Sequence, residues 1–266
     1  SDSLILGNFT NTGVVTNVES VLGNAGSDTI TFSNQAVNAV VDLAGGADKL
    51  TLGNFANTAS VANVETIVGG TGQDTVTLTA QISNGSVDLG ASSDRLTLGD
   101  FNNSVTVAGV ESVIGGAGSD TIVVSSGASQ IRGGGGIDYV TGGASNDVFV
   151  FDQNASGNHM VIQNMGTGAD KIGLDTTGSS TLSGNAYAIS GSLSNGVNIR
   201  AVADEDAREG TTLSTGGNGG FVYQEDPGGL YYSADGDFSS GGTLIGVITT
   251  NGSTAWTYDF SKFQVM

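Results

Sequence analysis

Over roughly its first half the chain alternates apolar and polar residues in short runs, as in Thr29-Ile30-Thr31-Phe32, Leu50-Thr51-Leu52 and Thr75-Val76-Thr77-Leu78. Successive side chains of an extended strand point to opposite faces, so this period of two places Ile30, Phe32, Leu50, Leu52, Val76 and Leu78 inside and the threonines outside. The runs are too short for helices and rich in Val, Ile, Thr and Phe, which suit a half-buried pleated surface. Clusters of Gly, Asn, Asp and Ser bound each run and read as turns. The pattern predicts an all-β chain of many short strands.

The turns and strands recur with a period of 46 residues. Leu4-Ile5-Leu6-Gly7-Asn8-Phe9 returns as Leu50-Thr51-Leu52-Gly53-Asn54-Phe55 and as Leu96-Thr97-Leu98-Gly99-Asp100-Phe101, and Val18-Glu19-Ser20 returns as Val64-Glu65-Thr66 and Val110-Glu111-Ser112. Three copies without insertion predict a solenoid in which each unit covers the apolar face of the next. Two turns of each unit end in aspartate, giving the series Asp2, Asp28, Asp48, Asp74, Asp94, Asp120 and Asp138. Each step in that series is close to one coil of about 18 residues, which predicts that all seven aspartates stack on one edge, roughly 4.8 Å apart. On this reading the longer segments, Phe9 to Asn17 and Phe55 to Asn63, bulge from the other edge. Phe9, Phe55 and Phe101 are expected to stack in the core, and Glu19, Glu65 and Glu111 to form a solvated ladder.

After Asp120 the units shorten to nine residues: Gly115–Val123, Val124–Arg132, Gly133–Thr141 and Gly142–Val150. The last two, GGGGIDYVT and GGASNDVFV, carry Gly at their first two positions, Asp at the sixth and a large apolar residue at the eighth. Glycines permit a tight turn with exposed carbonyls, and the aspartate adds a carboxylate. Ca²⁺ is a hard cation that takes six to eight oxygens, so one turn cannot complete its shell and a second must stack on the first. The pattern is similar to the GGxGxDxUx nonapeptide of RTX (repeats-in-toxin) proteins of Gram-negative type I secretion. The resemblance implies a right-handed parallel β-roll or β-helix with several Ca²⁺ ions. The ligand turns would be Gly115, Gly116, Gly118 and Asp120; Gly133, Gly134, Gly136 and Asp138; and Gly142, Gly143 and Asp147 with Asp170 on the opposite edge. In the longer repeats the corresponding ligands would be Asp28, Asp48, Asp74 and Asp94. The unit Val124–Arg132 lacks the aspartate, and Asp152 is a candidate cap of the first edge.

Charge sharpens this picture. The 26 acidic residues, 20 of them Asp, outnumber seven basic ones for a formal charge of −19, which argues against nucleic acid and anionic membranes as partners. Bound divalent cations would offset much of that repulsion. Cysteine is absent, so disulfides and thiol chemistry are excluded, and no apolar run is long enough to span a bilayer. Catalytic groups are scarce: His159 has no second His or Cys to share a metal with, and HExxH and GxSxG motifs are missing. The Gly133–Gly136 run lacks the Lys-Ser/Thr pair of a phosphate loop. The chain is expected not to be an enzyme.

Residues 147–174 resemble the end of the roll in serralysin-type RTX proteins, with Met160-Val161-Ile162 as the strand and Gly168-Ala169-Asp170-Lys171-Ile172 as the closing segment. Beyond 174 the repeats stop and Tyr187, Tyr223, Tyr231, Tyr232, Trp256 and Tyr258 appear, expected to pack a β cap more than a sugar platform. Two regions follow, a calcium-binding parallel solenoid over 1–174 and a β-rich cap over 175–266. The cap's resemblance to RTX C-terminal regions implies a type I secretion signal ending in Phe263-Gln264-Val265-Met266, read by the secretion machinery. The expected role is a secreted or cell-surface structural module that folds on calcium, S-layer-like or adhesin-like, with self-association into a surface layer. The alternative is the tail of a secreted protease, lipase or polysaccharide-modifying enzyme. Residue 1 falls inside a repeat, so further chain is expected upstream.

Overall fold

A computed structural model describes residues 2–151, 157–165, 168–174, 199–202, 208, 220–225, 228–233, 237–249 and 259–265. The chain divides into two compact units, Ser1–Ser129 and Gln130–Met266. Asp152, Tyr187, Trp256, Tyr258 and Met266 lie outside the described residues.

The first unit is a parallel β-solenoid of fourteen strands, each three to six residues long. They are β1 Ser3–Ile5, β2 Thr12–Val15, β3 Ser20–Leu22, β4 Thr29–Phe32, β5 Ala39–Asp42, β6 Lys49–Thr51, β7 Thr58–Ala62, β8 Thr66–Gly70, β9 Thr75–Leu78, β10 Gly85–Gly90, β11 Arg95–Thr97, β12 Ser104–Ala108, β13 Ser112–Gly116 and β14 Thr121–Ser126. Odd-numbered strands build one sheet in chain order and even-numbered strands the other, so every coil is two strands and two turns. Register fixes the coil at 17 or 20 residues: Lys49 pairs with Thr29 before it and Thr66 after it. The alternation read from the sequence holds, since Ile30, Leu50, Ile67, Val87, Val107 and Val124 are successive in-register partners and all are buried. Each such side chain contributes roughly 2 kcal/mol of burial.

One 46-residue repeat contains five strands, β1 to β5 and then β6 to β10. Five is odd, so equivalent residues of successive repeats fall in opposite sheets and on opposite edges. This corrects the single aspartate edge. Asp28 and Asp48 precede β4 and β6 of the even sheet, Asp74 and Asp94 precede β9 and β11 of the odd sheet, and Asp120 precedes β14 of the even sheet again. A step of 20 is one coil, but a step of 26 spans three strands, or one and a half coils. The expected bulges from Phe9 to Asn17 and Phe55 to Asn63 are instead strands β2 and β7 with their turns. Nor do the phenylalanines stack. Phe9, Phe55 and Phe101 sit in turns, exposed at 76, 42 and 44 %, and Phe9 and Phe101 share an edge that Phe55 does not.

In the second unit β15 Gln130–Gly134, β17 Val148–Phe151, β19 Lys171–Leu174 and β24 Phe263–Val265 form one parallel array. The other runs β16 Ile137–Thr141, β18 His159–Asn164, β23 Thr243–Ile248, β22 Gly229–Ser233, β21 Gly220–Gln224 and β20 Ile199–Val202, and turns antiparallel at the β23–β22–β21 pairs. The late aromatics serve packing: Tyr223 and Tyr232 are buried, Phe221 lies 5.2 Å from Tyr232, and the Arg208 guanidinium sits 4.1 Å from the centre of the Tyr231 ring. The segment read as a secretion signal supplies β24, paired in register with β19 through Ile172 and Phe263.

Candidate metal centre

Most glycines of the aspartate turns have no room for a side chain. In the turn from Gly23 to Asp28, a Cβ on Gly23 would lie 2.6 Å from Asp28 Oδ2 and 2.7 Å from the Leu43 carbonyl oxygen. The equivalent distances at Gly69 are 2.3 Å to Asp74 Oδ2 and 2.5 Å to Leu89 O, and a Cβ on Gly133 would meet Asp138 Oδ2 at 2.1 Å. Gly116, Gly134 and Gly136 hold positive φ angles of 115°, 98° and 89°, where a side chain is strained. The turns therefore wrap the carboxylate against main chain, and Asp28, Asp48, Asp74, Asp94, Asp120, Asp138, Asp147 and Asp170 are all buried.

The buried carboxylates are linked along each edge by main-chain hydrogen bonds from coil to coil. Asn11 N donates to Asp28 Oδ1 at 2.8 Å, Asp28 N to Asp48 Oδ1 at 2.6 Å, and Asp48 N to Glu65 Oε2 at 2.7 Å. On the opposite edge Asn57 N donates to Asp74 Oδ1 at 3.0 Å, Asp74 N to Asp94 Oδ1 at 2.6 Å and Asp94 N to Glu111 Oε2 at 2.7 Å. Asn103 and Asp120 repeat the first step on the first edge. The glutamates are thus the terminal acceptors of two separate ladders, which corrects the expectation of one solvated glutamate row. In the second unit Asp147 N donates to Asp170 Oδ1 at 2.9 Å, and Gly143 N to Asp147 Oδ2 at 2.9 Å. Asp147 and Asp170 are neighbours, as the sequence predicts.

In this arrangement one carboxylate oxygen is satisfied and the other is not. Oδ2 of Asp28, Asp48, Asp74, Asp94 and Asp170 is buried and has no protein donor. A buried acceptor without a partner is costly, and a row of them implies an ion, a proton or water. Among the described residues no three His, Cys, Asp or Glu side chains converge as a metal cage. A cation here must draw on main-chain carbonyls as well, which suits Ca²⁺, an ion that takes carbonyl and carboxylate oxygens alike as ligands. The residues present fit the ion.

Burial pushes the carboxyls of Asp48, Asp74, Asp94 and Asp170 above the ordinary range, with Glu65 and Asp28 adding repulsion at Asp48, and it pushes Asp120 up to about 7. A raised pKa means that the folded chain holds protons the unfolded chain has released. Stability from these groups is complete below the ordinary carboxylate range and is lost as pH rises, through about 7 for Asp120. The metal-free protein should therefore melt higher at pH 5 than at pH 8. Saturating calcium should flatten or reverse that order, because the metal requires ionised ligands. Thermal melts in chelator and in calcium at the two pH values check both signs.

Parallel two-strand coils, glycine turns and a recurring buried carboxylate at the aspartate turns define a β-roll. Residues 114–149 match the RTX calcium-binding nonapeptide repeat in four copies, so fold and repeats together fit an RTX β-roll protein with calcium-binding turns. No curated protein matches the chain. The matched stretch contains Asp120, Asp138 and Asp147, whereas the ladders of Asp28, Asp48, Asp74 and Asp94 lie outside it. Sequence reading overlooked the asparagines that open each ladder, Asn11, Asn57 and Asn103. Their spacing of 46 and their place just before a strand were the available signals.

Proposed function

We propose that this is a non-catalytic extracellular structural module, exported through a type I channel and folded by the calcium it meets outside the cell. The observation that supports it is the set of buried carboxylate oxygens with no donor, in a chain of formal charge −19. Without calcium those ionised carboxylates repel one another at coil spacing and the unfolded state gains; with calcium the same residues become ligands and the folded state is stabilised by mass action. Three 46-residue repeats of equal length, two of them wholly outside the matched nonapeptides, favour a uniform spacer, as in an S-layer-like or adhesin-like surface protein, over a compact enzyme tail.

Circular dichroism of the full chain, first in calcium and then in excess chelator, tests the reading. The β signal and the melting midpoint should both fall on chelation and recover on re-addition. Asp138→Ala should weaken calcium binding, whereas Asp88→Ala, at an exposed position on β10, should leave it unchanged. Identical melts with and without chelator would sink the proposal.

A further inference from the structure

Every 46-residue repeat has one turn that ends in an asparagine whose side chain bonds to the aspartate of the next coil: Asn11 to Asp28, Asn57 to Asp74 and Asn103 to Asp120. Asn57 directly precedes β7 as Asp74 directly precedes β9. Its side-chain amino group lies among three oxygens: Nδ2 is 3.0 Å from Gly53 O, 2.7 Å from Phe55 O and 2.8 Å from Asp74 Oδ1 of the next coil. Asn103 repeats the arrangement with Gly99 O at 2.9 Å, Phe101 O at 2.8 Å and Asp120 Oδ1 at 2.8 Å. So does Asn11, with Gly7 O, Phe9 O and Asp28 Oδ1 at 3.1, 2.5 and 2.8 Å. The remaining amide oxygen is used too: Asn57 Oδ1 accepts Ala36 N at 2.9 Å and Asn103 Oδ1 accepts Ile82 N at 3.2 Å. Asn57 and Asn103 are buried.

Two alternate carbonyls of a glycine turn plus a carboxylate from the next coil are the kind of oxygens a hard cation takes. We infer that in each repeat the asparagine amino group stands in the place of a cation, so that these three turns are held without metal. The chain then alternates two ways of closing a turn: an amide N–H₂ at Asn11, Asn57 and Asn103, and calcium at aspartate turns, the second half of this statement resting on the function proposed above. Removing the amide while keeping its oxygens should convert one kind into the other. Asn57→Asp leaves Gly53 O, Phe55 O and the Asp74 carboxylate in place, adds a second carboxylate and deletes the donor that held them together. The result is a cage that repels itself until a cation enters.

The test compares the wild-type chain, Asn57→Asp and Asn57→Ala by calcium-binding stoichiometry and by melting in calcium chloride and in chelator. Asn57→Ala should lower the midpoint by several degrees equally in both, having neither donor nor ligand. Asn57→Asp should fall at least as far in chelator, recover in calcium, and bind one more calcium per chain than wild type. Asn11→Asp and Asn11→Ala give the same comparison if Asn57→Asp does not fold. An aspartate variant that calcium rescues no better than the alanine variant, with wild-type stoichiometry, overturns the inference. So does an alanine variant that melts as wild type. If wild type binds no calcium, the proposed function fails, while the difference between the aspartate and alanine variants still decides this inference.

Discussion

Gly72→Ala is expected to destabilise the first unit by about 3 kcal/mol, at the upper end of what overpacking costs. The added methyl would lie 2.1 Å from both the carbonyl carbon and the carbonyl oxygen of Phe55 on the preceding coil. Main chain cannot rotate away as the end of a side chain can, so two coils must part locally and the hydrogen bonds between them lengthen. The damage should spread to the ladder, because Asn57 holds Phe55 O and Asp74 together and Gly72 lies two residues before Asp74. Gly45→Ala is the matched control. Gly45 also lies in a turn, but nothing stands within 4 Å of the position its Cβ would take. Urea denaturation of both variants in calcium should therefore show a large loss for Gly72→Ala and almost none for Gly45→Ala. Equal losses would mean that glycine content alone, and not the close approach of coils, sets the tolerance of these turns.

Much of this fold is legible because a two-sheet solenoid turns a one-dimensional pattern directly into inside and outside. Ile30, Phe32, Leu50, Leu52, Val76 and Leu78, assigned inward from alternation alone, are all less than 5 % exposed. The misreading came from parity. Nine residues make one strand and one turn, so a period of 46 is five such units with one residue left over, and an odd count sends every second repeat to the opposite edge. The strands β2 and β7 begin after asparagine and lack a Gly-Gly pair, so the sequence pattern reads them as bulging segments. The phenylalanines misled for a related reason. A large apolar residue once per repeat suggests core on hydropathy alone, but Phe55 lies two residues after Gly53 and two before Asn57, inside a turn whose carbonyls face inward to the asparagine amide and whose ring stays outside.

The site was legible in its residue types and less so in its connections. Glycine spacing and Asp at the sixth position identify the turns, and the pairing of Asp147 with Asp170 followed from their neighbouring coils. What the sequence could not display is the division of labour within one carboxylate: Oδ1 accepts main-chain N–H from the adjacent coil while Oδ2 of Asp28, Asp48, Asp74, Asp94 and Asp170 faces a closed interior. That division depends on which coil lies next, and hence on the register that parity had obscured.

Phe149→Ala is expected to cost about 4 kcal/mol, the range for losing a large aromatic from a packed core. Phe149 is fully buried on β17, in register between Ile131 of β15 and Ile172 of β19, and its ring tip fills the space left by Gly142, where a Cβ would come within 2.8 Å. The substitution removes no calcium ligand, so its effect on the calcium requirement is indirect and informative. If folding of these coils is linked to calcium, a higher calcium concentration can restore the lost stability, and each tenfold rise per linked ion offsets about 1.4 kcal/mol. A loss of about 4 kcal/mol then raises the calcium midpoint of folding by nearly 10³-fold if one ion is linked, and by only about tenfold if three are. The shift therefore counts the ions coupled to folding. A variant that melts lower by the same margin at every calcium concentration, with its calcium midpoint unmoved, would separate packing from metal binding and leave the β-roll stable on its core alone.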